Sequence, residues 1–148
     1  MKKLLISLLL LCGCAMFGEK GMVFDGIPSG QESTFKQQVR AVKNVTGWSE
    51  PEEWSVRGRE GTKPGSLCGQ PSWAFYEQGK WCIGLTTGNK HHITTILAQS
   101  PDGSYNCAAL YHEALQGMGY ANGKIPDNDD HPKEFLKYIP KEFQCGWR

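Results

Sequence analysis

The chain has 148 residues, of which 16 are basic and 15 acidic, for a formal net charge of +1. A hydrophobic content of 39% with 11% aromatics excludes a disordered chain. The near balance of charge offers no basic face and so excludes nucleic acid as a partner.

Residues 1–13 read as a secretory signal. Met1-Lys2-Lys3 is followed by an apolar run from Leu4 to Leu11, broken only by Ser7. The run is about half the length that a membrane-spanning helix needs. Leu11-Cys12-Gly13-Cys14 resembles the lipobox of bacterial lipoproteins, with Leu at −3 and a small residue at −1. The resemblance implies cleavage after Gly13, acylation of Cys14, and a lipid-anchored place in the bacterial cell envelope. Ala15 after the acylated Cys favours the periplasmic face of the outer membrane over inner-membrane retention. Plain secretion, with cleavage near Ala15 or Gly18, is the alternative.

Residues 14–32 are expected to be a lipidated flexible tether, because Gly18, Gly21, Gly26, Pro28 and Gly30 interrupt few apolar residues. Residues 33–148 are expected to form one globular domain. Phe35, Val39 and Val42 recur at helical spacing after Ser33, and Gly47 ends the pattern. Residues 47–71, with Pro51, Pro64 and several glycines, read as loop with one short strand at Trp54–Val56. Ser72–Glu77, the turn Gln78-Gly79-Lys80 and Trp81–Thr87 make a hairpin. Gly88-Asn89 is a second turn, and His92–Ala98 a further strand. After the turn Pro101-Asp102-Gly103-Ser104, a helix is predicted over Cys107–Met118. Leu110, Ala114, Leu115 and Met118 form its apolar face, and Gly117 and Gly119 mark its end. A polar loop, Asn122–Pro132, precedes a short helix opening at Pro132. The fold class is α+β: a small domain with an antiparallel strand meander packed with two or three helices.

Outside the signal stand Cys68, Cys82, Cys107 and Cys145. An even number in an oxidising compartment predicts two disulfides, with three pairings open. No pair has the CxxC spacing of a zinc knuckle.

The long helix carries His112-Glu113-Ala114-Leu115-Gln116. Residues four apart share a helix face, where two side chains can hold one ion and the adjacent Glu can act as general base. The segment resembles the active-site helix of zincin metallopeptidases, and Gly119 matches the Gly of their longer motif. The resemblance implies a zinc-dependent hydrolase with Glu113 catalytic, and with His112, Gln116 and the downstream His131 as metal ligands. It departs from the family where the second His is Gln116, a weaker ligand. A second resemblance is to papain-like cell-wall amidases and their circularly permuted relatives. It rests on Tyr105-Asn106-Cys107 opening a helix, on Gly119 and on Pro132–Leu136. It implies Cys107 as nucleophile, activated at a helix N-terminus, with His91 or His92 as base. A non-catalytic envelope binding or assembly lipoprotein is the third reading. The partners implied are the membrane, through the lipid anchor, and a peptide, protein or peptidoglycan substrate.

Overall fold

A computed structural model describes residues 21–147, so the signal, the lipobox and Cys14 lie outside the described residues. The first strand, β1 (Met22–Asp25), is followed by helix α1 (Ser29–Thr46). Strands β2 (Glu53–Glu60), β3 (Lys63–Leu67), β4 (Gln70–Glu77), β5 (Lys80–Cys82), β6 (Gly84–Gly88) and β7 (His92–Gln99) come next. Helix α2 (Cys107–Ala121) and two short 3₁₀ helices, Lys133–Tyr138 and Lys141–Gly146, complete the α+β fold. Among the described residues no helix is long and apolar enough to cross a membrane.

The larger sheet has the order β1-β2-β7-β6. β1 and β2 pair in parallel, as do β2 and β7, whereas β6 runs antiparallel to β7. The smaller sheet, β3-β4-β5, is an antiparallel meander. The expected hairpin turn forms at Gln78 and Gly79, both at positive φ (47° and 81°). That is the backbone of a type I′ hairpin turn, which matches strand twist. The run predicted as one strand over Trp81–Thr87 is divided at Ile83: β5 pairs with β4, and β6 crosses to pair with β7. One segment thus joins the two sheets, and the site lies along it.

Two expectations are corrected near the N-terminal side. Part of the expected tether, residues 14–32, is structured, since β1 pairs with β2 from Met22↔Trp54 to Asp25↔Arg57. Phe24 packs edge-on to Phe35, with ring centroids 6.3 Å apart, and Ile27 is buried, so this segment belongs to the core. In the expected loop 47–71, the short strand expected at Trp54–Val56 is present but longer, as the interior strand β2 with Trp54 and Val56 buried, and β3 follows it. The helix predicted from Ser33 begins earlier, at Ser29 behind Pro28, and ends as expected at Gly47, whose φ of 71° is the left-handed cap conformation. Its buried face is Phe35, Val39 and Val42, as its periodicity predicts. Burying each such side chain is worth roughly 1.5–3 kcal/mol.

α2 also runs past its expected end, through Gly117 and Gly119 to Ala121. These glycines do not terminate the helix; they admit neighbours. A Cβ on Gly117 would lie 2.3 Å from the Trp54 ring, and one on Gly119 would lie 2.9 Å from Ile125. α2 is buried on nearly every side between α1, the sheet and the second 3₁₀ helix. Its Leu110, Ala114, Leu115 and Met118 all reach the core.

One disulfide, Cys68–Cys145, ties the β3–β4 turn to the second 3₁₀ helix. The expectation of two bridges is corrected: Cys82 and Cys107 are free thiols. Cys82 lies buried with Phe75 and Ala98 between the sheets, while Cys107 is exposed at the first turn of α2.

Candidate functional site

α2 starts cleanly because the Asn106 side chain accepts a hydrogen bond from the Ala109 backbone N–H, 3.2 Å away. With its core face set, His112, Glu113 and Gln116 share a different stripe, and they line a cleft of about 280 Å³. β6 forms one wall through Gly84, Leu85 and Thr86, and β5 contributes Trp81 at the rim. The loop bearing Asp130 and His131 forms the other wall.

The loop folds back so that His131 Nε2 lies 3.0 Å from His112 Nε2. His131 Nδ1 is 2.8 Å from an Asp130 carboxylate oxygen, which can only accept, so this nitrogen carries the hydrogen. A backbone hydrogen bond to Gly146 favours the charged form of His112. Neutral His131 aims its Nε2 lone pair at His112 Nε2, where a hydrogen on His112 or a cation between the rings can meet it. Burial, then the neighbouring His131, pushes the His112 pKa down to about 4, while Gly146 and Asp130 pull it weakly the other way. His112 is thus kept neutral at ordinary pH.

Trp147 completes the enclosure. Its ring centroid is 4.7 Å from that of His112 and 5.0 Å from that of His131, and its indole N–H donates to the Pro132 carbonyl at 3.1 Å. Gln116 is buried beneath the loop. Its amide nitrogen donates to the Asp130 carbonyl at 3.1 Å and lies 3.4 Å from His131 Nε2. Three expected metal-site residues, His112, Gln116 and His131, are therefore brought together. Among the described residues, however, no three His, Cys, Asp or Glu side chains gather as a metal-holding group; the third donor at the pair is an amide.

Glu113 faces the same cleft from beside His112. One carboxyl oxygen, Oε2, accepts from Thr86 Oγ1 at 2.6 Å. Burial raises its pKa to about 8, against a lowering by the Thr86 hydrogen bond and with a further rise from Asp130.

The residues of the amidase reading do not converge. His91 and His92 sit at the start of β7, paired with Glu52 at 3.3 Å and Glu53 at 2.7 Å. β7 spans about 23 Å from that end, and Cys107 follows its far end, where α2 begins. The return of α2 brings Gly123, not Cys107, beside Lys90 at the histidine end.

Asp130, Thr86, Thr95, Gly84 and Trp147 went unrecognised from sequence as parts of the site. For Thr95 a signal existed: it shares a strand face with Ile93 and Leu97, and a hydroxyl on a buried face needs a partner. Comparison with family models, curated proteins and solved structures finds no match for this chain.

Proposed function

We propose that the domain is a zincin-like, metal-dependent hydrolase of the bacterial cell envelope, anchored through Cys14. The observation that carries this reading is the pair of Nε2 atoms 3.0 Å apart, with the His131 ring held from behind by Asp130. Two nitrogens on one zinc, each at about 2.0–2.1 Å from it, lie roughly 3–3.5 Å from one another, so the donor set fits. His112 and His131 would hold the ion; Gln116, whose amide nitrogen faces His131 and the Asp130 carbonyl, would reach it only with the amide turned over. Zinc bound there would polarise a carbonyl and acidify water.

The chain's own residues supply the rest. Asp130 orients the His131 ring, as a carboxylate behind a ligand imidazole does. Trp147 shields the pair from solvent on one side. Glu113, adjacent in sequence and facing the same cleft, is placed to act as general base. β6 is the outer strand of its sheet and lines the cleft, so its free edge suits an extended peptide, which adds to an open edge through backbone hydrogen bonds. A peptide, a protein or the peptide portion of peptidoglycan is the substrate class.

Zinc titration of metal-free protein by calorimetry tests the reading, followed by hydrolysis of a quenched fluorogenic peptide library. One zinc per chain is expected, lost in His112→Ala and in His131→Ala. Glu113→Gln should keep zinc and lose hydrolysis. Equal zinc binding by wild type and both His variants would overturn the proposal and leave a non-catalytic envelope factor as the better account.

A further inference from the structure

A buried line of hydrogen bonds crosses three strands and ends on Glu113. Trp54 Nε1, on β2, lies 2.9 Å from Thr95 Oγ1 on β7. Thr95 Oγ1 lies 2.9 Å from Thr86 Oγ1, its directly opposed partner on β6. Thr86 Oγ1 in turn lies 2.6 Å from Glu113 Oε2 on α2. All four side chains are buried, none more than 5% exposed.

With the Glu113 carboxyl ionised, as a general base must be, the chemistry of the ends fixes the direction of the line. An indole N–H can only donate, so Thr95 accepts from Trp54. Its own hydrogen is then free for Thr86, and the Thr86 hydrogen goes to the carboxyl. The other acceptor near Thr86 is the backbone carbonyl of Glu113 itself, at 3.5 Å, a longer contact to the same residue. Every donor in the line therefore points toward Glu113. Adjoining hydrogen bonds of one sense polarise and strengthen each other in a low-dielectric interior.

The two carboxyl oxygens of Glu113 are left unequal. Oε2 is committed as an acceptor. Oε1 lies over Gly84, so close that a Cβ at residue 84 would come within 2.4 Å of it. Glycine at this position is what lets the carboxyl settle against β6. Valine has nearly the shape of threonine and a high strand preference, so strand packing alone does not call for the two hydroxyls.

We propose that Thr86 and Thr95 are positioning residues for Glu113. They pin Oε2 through a donor line that starts at Trp54 and leave Oε1, over Gly84, outside that line. The positioning stands on the geometry; only its effect on catalysis rests on the hydrolase reading.

The carboxyl carbon resonance of Glu113 in ¹³C-labelled, metal-free protein tests the line directly, assigned by its loss in Glu113→Gln. It should shift in Thr86→Val and return in Thr86→Ser, which restores a hydroxyl. Thr95→Val should shift it in the same direction by less, and Thr95→Ser should return it. In the zinc-loaded protein, kcat on the quenched peptide library should fall about tenfold in Thr86→Val, the scale on which groups behind a site act. Zinc affinity should stay within about twofold of wild type, because neither valine replaces one of the residues proposed to hold the ion. Should Thr86→Val fail to fold, Thr95→Val, one bond further from the carboxyl, carries the same measurement. A Glu113 resonance unmoved by the valine variants, or unrestored by serine, would overturn the proposal. Absence of zinc binding by the wild type would instead overturn the hydrolase reading and leave the resonance to decide the line of hydroxyls.

Discussion

His112 and His131 stand 19 residues apart in sequence, one on a helix and one on a loop, yet their Nε2 atoms meet at 3.0 Å. On the proposed reading, a zinc bound there would be a folding ligand as well as a cofactor. At a hundred times its Kd, an ion that binds only the folded state adds about 2.7 kcal/mol of stability. Thermal melts should therefore shift upward by several degrees on adding zinc and return on adding a chelator. His112→Ala and His131→Ala should melt at temperatures indifferent to zinc. A wild-type melt that does not move with zinc would count against the site.

The thiols offer a second measurement. With Cys68 and Cys145 joined, the described residues hold two free thiols of opposite exposure. In folded, unreduced protein one thiol, Cys107, should react quickly with a thiol reagent; Cys82 should react only on unfolding. Replacing both Cys68 and Cys145 by Ser should cost about 2–4 kcal/mol, because the bridge closes a long loop in the unfolded chain. The loop spans 77 residues. A denaturant midpoint that does not change would show that the bridge constrains nothing.

Two glycine-to-alanine changes should have opposite signs. In α1, a Cβ on Gly30 would meet nothing within 4 Å, so Gly30→Ala should gain up to about 1 kcal/mol from helix propensity. In α2 the same gain is available to Gly117→Ala, but the new methyl would lie 2.3 Å from the buried Trp54 ring. Overpacking costs of about 1–3 kcal/mol should outweigh propensity there, and Gly117→Ala should be less stable than wild type. Urea denaturation of the two variants checks both signs.

How much of this was legible before the structure depends on where each signal resides. The faces of α1 and α2 were legible because Phe35-Val39-Val42 and Leu110-Ala114-Leu115-Met118 repeat within a few residues. The turn at Gln78-Gly79 was legible from its own residues, though its type I′ geometry was not. β2 was legible only at Trp54–Val56, because Gly58, Gly61 and Pro51 around it mimic a loop, and the rest of its strand character comes from parallel partners far along the chain. The break at Ile83 was invisible because one continuous strand pattern serves two sheets. At the site, His112-Glu113 announced itself, as did His131 downstream. Their convergence is a property of the loop's path, and that path is set by Gln116 bonding the Asp130 carbonyl, a long-range contact with no local pattern.

Tyr105 and Tyr111 separate a satisfied hydroxyl from an unsatisfied one. The Tyr111 hydroxyl donates to the Tyr138 carbonyl, while the buried Tyr105 hydroxyl finds no partner among the described residues. Tyr111→Phe should therefore lose about 0.5–1.5 kcal/mol, and Tyr105→Phe should be neutral or stabilising. Burial holds both hydroxyls up to about 12, against the ordinary value of 10.0. The unfolded chain thus gives up these protons first as pH rises, so their contribution is whole below pH 10 and is lost between pH 10 and 12. Equilibrium unfolding of wild type and both Phe variants at pH 9 and at pH 11 should show wild type losing more stability than either variant.

The enclosure of His112 by Gly146 and Trp147 imposes an order on biosynthesis. When the ribosome has just made α2, His112 has neither its carbonyl partner nor its aromatic roof, and His131 has not yet been translated. The nascent chain therefore presents a lone imidazole with weak claim on any ion. Only after the 3₁₀ segment ending at Gly146 has emerged, and Cys145 has found Cys68, does the pocket close around the pair. On the hydrolase reading, a protein built this way stays inert until that segment has folded over the pair.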